Sequence, residues 1–191
     1  TLRLDRQGPV VTLTINRPKV RNAFNAALIE DLREAFAALT PSDHVVVLTG
    51  AGKAFCAGAD LAWMQASATL SEEDNVREAT TLANLFRSID TTPRVVIGRV
   101  NGLALGGGVG LLACCDIAVS AASAEFAFSE VRLGLAPAVI SPFVVRKIGR
   151  SWARRYFLTG ERFDAATARL MGLVHDVVDD AALDDAVGAL V

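Results

Sequence analysis

Asn101-Gly102-Leu103-Ala104-Leu105-Gly106-Gly107-Gly108-Val109-Gly110-Leu111-Leu112-Ala113-Cys114-Cys115-Asp116 follows a β-branched run from Arg94 to Val100. The order reads as a strand, a glycine turn and a short apolar helix. Three consecutive glycines let backbone N–H groups approach a ligand with no side chain in the way. A helix N-terminus adds positive dipole character, which suits an oxygen that gains negative charge during a reaction. Close packing of a glycine-rich helix is the competing reading of this stretch taken alone. Two better-known glycine motifs fail here. Gly106 and Gly108 begin a G-x-G-x-x-G pattern, but Leu111 stands at its last position. Gly50-Ala51-Gly52-Lys53 resembles the end of a P-loop, yet Val47 replaces its first glycine and Ala54 its magnesium-binding hydroxyl. Neither NAD nor ATP is supported.

A second segment repeats the arrangement. After the β-rich run His44 to Thr49 come Gly50-Ala51-Gly52-Lys53-Ala54-Phe55-Cys56-Ala57-Gly58-Ala59-Asp60-Leu61, then Trp63 and Met64. The chain again passes from strand through small residues into a helix, with Asp60 near its first turn. Two such junctions can point two backbone N–H groups at one carbonyl oxygen, the arrangement of an oxyanion hole.

With these residues the chain resembles the crotonase family, the enoyl-CoA hydratase and isomerase superfamily. Asn16-Arg17-Pro18-Lys19-Val20-Arg21-Asn22-Ala23, the loop Phe55 to Leu61 and the glycine run carry the likeness. Phe126-Ala127-Phe128-Ser129-Glu130, Gly134-Leu135-Ala136-Pro137, Leu158-Thr159-Gly160-Glu161-Arg162-Phe163 and Gly172-Leu173-Val174 continue it in order along nearly the whole chain. The resemblance implies an α/β spiral of ββα repeats and an acyl-CoA thioester substrate. Coenzyme A enters as part of that substrate, and no metal or redox cofactor is implied. The N–H groups of Ala59 and Gly107 match the family's oxyanion-hole donors. Val20, Arg21, Ala57, Ala59, Asp60, Leu61 and Gly107 match positions around coenzyme A, with Arg21 or Lys19 able to reach a phosphate. An exposed surface cation is the alternative for Arg21.

Glu130 matches the second of two glutamates that hold a water in the family's hydratases. Apolar neighbours such as Phe128 and Val131 would raise its pKa toward neutrality; a solvated turn carboxylate is the alternative. Gly110 stands where the first glutamate belongs. Hydration by Glu130 alone, double-bond isomerisation by a single base, and a catalytically silent acyl-CoA-binding scaffold are the three consequences to separate. Hydro-lyase chemistry is the favoured one. The runs Gly106 to Asp116 and Ser129 to Val145 further resemble a bacterial methylglutaconyl-CoA and isohexenylglutaconyl-CoA hydratase-like subgroup of leucine and acyclic-terpene breakdown. On that likeness Gly110 clears room for a branched acyl group and Arg132 meets a distal carboxylate. A surface ion pair is the alternative for Arg132.

The 191 residues suffice for one domain with a substantial core. A hydrophobic content of 52% points to surfaces covered by partner subunits, and the family likeness implies a homotrimer or a dimer of trimers. The net charge of −2 gives no basic stripe for nucleic acid, and Arg150, Arg154 and Arg155 read as one solvated or subunit-facing helix side. The apolar stretch Gly102 to Ala124 is broken by Asp116 and crowded by glycines, which favours a buried core segment over a membrane span. Three cysteines without a C-x-x-C pattern read as small buried residues of a reducing, cytoplasmic setting. His44 and His175 lie in β-rich runs and read as structural.

Spacing predicts a hairpin of Leu2 to Asp5 with Val10 to Ile15, and a helix capped by Asn25 to about Leu39. A strand follows at His44–Thr49, and Ser71 opens a long helix to about Ile89. Strands at Arg94–Val100, Ile117–Ser120 and Glu125–Phe128 alternate with the glycine helix. Helices near Pro142–Ile148, Trp152–Leu158 and Ala165–Met171 precede a last strand, Leu173–Val178. Residues 1–180 read as the core with the thioester site. Residues 181–191 read as the start of a C-terminal helical region, the chain being expected to stop inside a helix.

Overall fold

Val11, Leu13 and Ile15 alternate with Thr12 and Thr14, and Val10–Ile15 (β2) turns the three aliphatic side chains fully inward. In the computed structural model, which describes residues 1–191, Leu2–Gln7 (β1) pairs antiparallel with β2 from Leu2↔Ile15 to Gln7↔Val10. Ala26–Ala37 (α1) follows, capped by Asn25, whose Oδ1 accepts from Leu28 N at 3.0 Å. Its Leu28, Leu32 and Phe36 face the core at helical spacing.

From here the chain repeats one unit. Val45–Gly50 (β3) leads to Ala54–Cys56 (β4), then to helices Leu61–Ser67 (α2) and Glu72–Asp90 (α3). Val95–Val100 (β5) leads to Leu103–Leu105 (β6) and helix Gly107–Ala113 (α4). Ile117–Ala121 (β7) leads to Glu125–Ala127 (β8) and, past a 3-10 turn at Glu130–Leu133, to helix Ser141–Thr159 (α5). The first strand of each unit joins one sheet in parallel register, and the second joins another. After Phe163–Asp164 (β9) and Ala165–Leu170 (α6), Asp176–Val178 (β10) completes a six-stranded sheet of order β1-β2-β3-β5-β7-β10. The second sheet has the order β4-β6-β8-β9. Strand, strand and helix thus wind as the α/β spiral of ββα turns that the sequence pointed to.

Aliphatic and aromatic side chains between sheets and helices form one core, with Phe24, Phe55, Phe86, Phe126 and Phe128 fully buried. A smaller cluster on the other face of the larger sheet joins Val47, Ile97 and Val119 to Leu183 and Val187 of the last helix, Leu183–Gly188 (α7). Leu183 and Val187 therefore pack α7 on the back of the sheet, and α7 runs to Gly188. Beyond it Ala189 N donates to Asp185 O, Leu190 N to Val187 O and Val191 N to Gly188 O, so helical turns run on to the last residue.

Strands, more than helices, differ from their reading. The glycine junctions contain the short strands β4 and β6, which three-residue apolar runs do not announce against the helix that follows. The helices near Pro142–Ile148 and Trp152–Leu158 are separate as read: the span α5 is two helices that meet at Gly149, where φ is 77° and ψ 159°. The last strand shrinks to Asp176–Val178, because Leu173 and Val174 turn into the core and their N–H groups bond Ala168 O.

Candidate active site

Two asparagines fix the loops beneath the site. Asn22 is fully buried and sits in the left-handed region (φ 60°), which asparagine tolerates better than most residues. Its Oδ1 accepts from Arg17 N at 2.9 Å, while Nδ2 donates to Ala51 O at 2.9 Å and Ala54 O at 2.7 Å. Asn101 Oδ1 accepts from Gly50 N at 3.2 Å, and its Nδ2 donates to Gly52 O at 2.9 Å. The segment bearing Val20 and Arg21 is thereby tied to the Ala59 loop, reinforced where Ala57 N donates to Arg21 O at 3.0 Å.

The two glycine junctions converge. A Cβ on Gly58 would lie 2.8 Å from Leu105 O and 3.5 Å from Gly107 N, and one on Gly108 would lie 2.2 Å from Cys56 O. Only glycine permits this approach of α4 to the neighbouring loop. The flanking N–H groups of Ala59 and Gly107 donate to no other group of the chain and are free for one acceptor. Gly107 opens α4, whose N-terminal partial charge adds to the field there.

Glu130 completes the centre. Gly106 (φ 47°) carries the turn into α4, and a side chain there would strike Glu130 Oε1, 2.9 Å from its Cβ position. The carboxylate therefore lies over the backbone that supplies one of the free donors. Burial holds its pKa above the usual glutamate range, and its Oε2 is buried without a hydrogen-bond partner. Orphaned buried polar atoms are uncommon and point to strain or function. Trp63 Nε1, on the wall of the same cavity, is another.

Asp60 caps α2, accepting from Ala62 N at 3.0 Å, and pairs with Arg17 at 2.9 Å. Burial alone would raise its carboxyl, but the Arg17 hydrogen bond and the α2 amide hold it below the usual range. Arg17 also donates to Ala23 O, so one cation joins the first loop to the start of α2. Asp60 is thus engaged, and Glu130 is the unpaired carboxylate of the site.

One mostly apolar cavity of about 730 Å³ brings together Val20, Arg21, Ala57, Ala59, Asp60, Leu61, Gly107 and Glu130. Lys19 and Arg21 stand exposed on its wall without an ion-pair partner. Arg132 shares the wall and makes no ion pair within the chain. Gly110 does not open room: a Cβ there would lie 2.4 Å from Ile140 Cγ2 and 3.1 Å from Phe86 Cε1. The vacancy expected of this glycine is filled by Ile140, which corrects the sequence reading. Sequence reasoning gave no role to Asn22, Arg17 or Ile140. The adjacency of Asn22 to a loop of small and charged residues was a signal for a left-handed turn; nothing local marked Ile140.

The remaining reactive groups lie apart. Cys56 and Cys115 are buried thiols pushed up to about 12 by burial, and Cys114 is raised by the same cause. His175 Nδ1 accepts from Ala118 N at 3.0 Å, a structural use. No group of three or more His, Cys, Asp or Glu is placed to hold a metal, and no helix is long and apolar enough to cross a membrane.

A family model described as enoyl-CoA hydratase/isomerase matches residues 5–190. An enoyl-CoA hydratase of Alternaria alternata is 40% identical over 182 residues, covering 94% of this chain and 59% of its own length. The 2,3-dehydroadipyl-CoA hydratase of Escherichia coli is 38% identical over 180 residues, covering 91% of this chain and 68% of its own. The crystal structure of an enoyl-CoA hydratase from Shewanella pealeana superposes with a TM-score of 0.93 at 40% identity, over 99% of this chain and 73% of that one. The chain thus spans less than two thirds of the length of the Alternaria relative.

Proposed function

The chain belongs to the enoyl-CoA hydratase/isomerase family, and from that membership we propose that it adds water across the double bond of an α,β-unsaturated acyl-CoA thioester. The observation that carries this reading is the desolvated Glu130 carboxylate lying against the backbone whose Gly107 N–H is free. In the proposed mechanism Ala59 and Gly107 N–H groups bind the thioester carbonyl oxygen. Glu130 takes a proton from water as the water oxygen bonds to C3. The C2=C3 electron pair moves toward the thioester, giving an enolate whose oxygen is held by the two donors. Glu130 then returns the proton to C2, and the carboxylate is regenerated. A preformed donor of this kind is worth about 3–4 kcal/mol of barrier. Lys19 and Arg21 provide cations for the coenzyme A phosphates, and Val20, Ala57, Asp60 and Leu61 form the surrounding wall.

Two finer assignments belong to the same proposal. Unpaired Arg132 on the cavity wall supports an acyl group ending in a carboxylate, such as a branched glutaconyl thioester. The family likeness supports a homotrimer or dimer of trimers, and the three buried free thiols suit a reducing, cytoplasmic setting. A second reading, double-bond isomerisation, is favoured by one specific feature: Glu130 is the only unpaired carboxylate on the cavity, as a single shuttling base requires.

Incubation with crotonyl-CoA or 3-methylglutaconyl-CoA in heavy-oxygen water, followed by mass spectrometry, tests both. Hydration is expected to place the heavy oxygen in a 3-hydroxyacyl product. Glu130→Gln is expected to lower the rate by about 10²–10⁴-fold, the range for a lost acid–base group. A moved double bond without oxygen uptake replaces hydratase by isomerase, and no change with either substrate overturns both.

A further inference from the structure

Gly110 lies one helical turn after Gly106 on α4, and its N–H donates to Gly106 O at 3.1 Å. Gly106 itself is not helical (φ 47°, ψ −116°), but a Cβ on either glycine would meet a side chain of the same later segment. Glu130 covers the first of these positions and Ile140 the second. Both covering residues come from one strap, the segment from the 3-10 turn at Glu130 to the start of α5. It is held by Leu135 N donating to Glu130 O at 3.0 Å and Val144 N donating to Ile140 O at 3.0 Å. The Ile140 side chain is buried, yet it borders the cavity. Behind it Phe86 packs at 6.2 Å from Phe24 and 5.9 Å from Phe143, ring centre to ring centre. The wall therefore has a stiff aromatic backing.

Gly107, the free donor, precedes Gly110 by three residues, about 4.5 Å along the helix axis. An acyl chain whose carbonyl oxygen met Gly107 N–H and which ran along α4 would cover that distance with its third and fourth carbons. We infer that Ile140 is a specificity-determining residue that closes the acyl end of the cavity over Gly110 and limits the length or branching of the acyl chain accepted there. Gly110 and Ile140 form a size-compensating pair, small on the helix and large on the strap. The inference rests on the thioester reading above and adds to it which residue bounds the substrate.

The test uses saturated, unreactive thioesters, so it does not depend on turnover. Binding of butyryl-, hexanoyl- and octanoyl-CoA, and of free coenzyme A, is measured by calorimetry for the wild-type chain, Ile140→Val and Ile140→Ala. Ile140→Ala is expected to shift the octanoyl-to-butyryl affinity ratio by at least about tenfold, the lower limit for one methylene in an apolar pocket. Ile140→Val is expected to shift it less, in the same direction, with coenzyme A affinity unchanged. Should Ile140→Ala not fold, the Ile140→Val ratio decides. Gly110→Ala is expected to bind hexanoyl-CoA poorly, and Gly110→Ala/Ile140→Ala to recover it. Acyl-CoA binding with the same chain-length ratio in every variant overturns the wall while leaving the thioester reading intact. Wild-type protein that binds no acyl-CoA overturns both.

Discussion

At the residue scale the site is governed by one carboxylate whose surroundings disfavour its charge. Burial lifts the Glu130 pKa, so the folded protein holds that proton more tightly than the unfolded chain does. Stability must then rise as pH falls from above the folded pKa toward the ordinary glutamate value, because the unfolded state binds fewer protons across that interval. Above it, the ionised carboxylate is a standing cost, tolerated where a base is needed. Glu130→Gln is therefore expected to melt at a higher temperature than the wild type near pH 8, with the gap closing toward about pH 4. Thermal melts of the pair over that range check this; a gap independent of pH would mean that Glu130 is not desolvated in solution. That Glu130, Ala59 and Gly107 meet on one cavity was legible in the sequence through flanking motif residues. Ile140 was not, since its contact with Gly110 spans thirty positions of chain.

At the scale of elements, helix starts were legible where a side chain caps its own backbone. Asn25, Asp60 and Ser71 each accept from an N–H of the first turn, as their spacing indicated. Short strands were less so. Cys56 and Ala104 extend only because parallel partners from successive turns meet them in the second sheet, and no local pattern reports such a partner. The kink in α5 is another tertiary decision. Gly149 adopts a backbone conformation nearly confined to glycine, although a Cβ there would meet nothing within 4 Å. Gly149→Ala is expected to cost about 1–3 kcal/mol from backbone strain alone and to leave activity unchanged, since Gly149 is off the cavity wall. Chemical denaturation measures it. An unchanged midpoint would mean that the two halves of α5 straighten freely.

For the whole molecule, the spiral places successive strand-to-helix junctions side by side, and this stacking brings the Ala59 loop against the start of α4. Apolar side chains also reach the outer surface, with Leu158 69% and Leu170 73% exposed. Such residues suit cover by further chains, in keeping with the proposed trimer. Sedimentation velocity of the wild-type chain is expected to give a multiple of three chain masses; a monomer at micromolar concentration would overturn that assembly.

What the sequence determined by itself was local: strand alternation, helix caps, glycine junctions and an acid in an apolar run. These features depend on residues within a few positions of one another. Motif order then carried the family and its spiral, which periodicity alone does not specify. Tertiary structure decided what depends on distant segments meeting: the buried bonds of Asn22, the pairing of Asp60 with Arg17 and the filling of Gly110 by Ile140. An absent side chain leaves a sequence open to opposite readings, an empty pocket or a packed one. Only the packing partner, distant in the chain, settles which volume is filled.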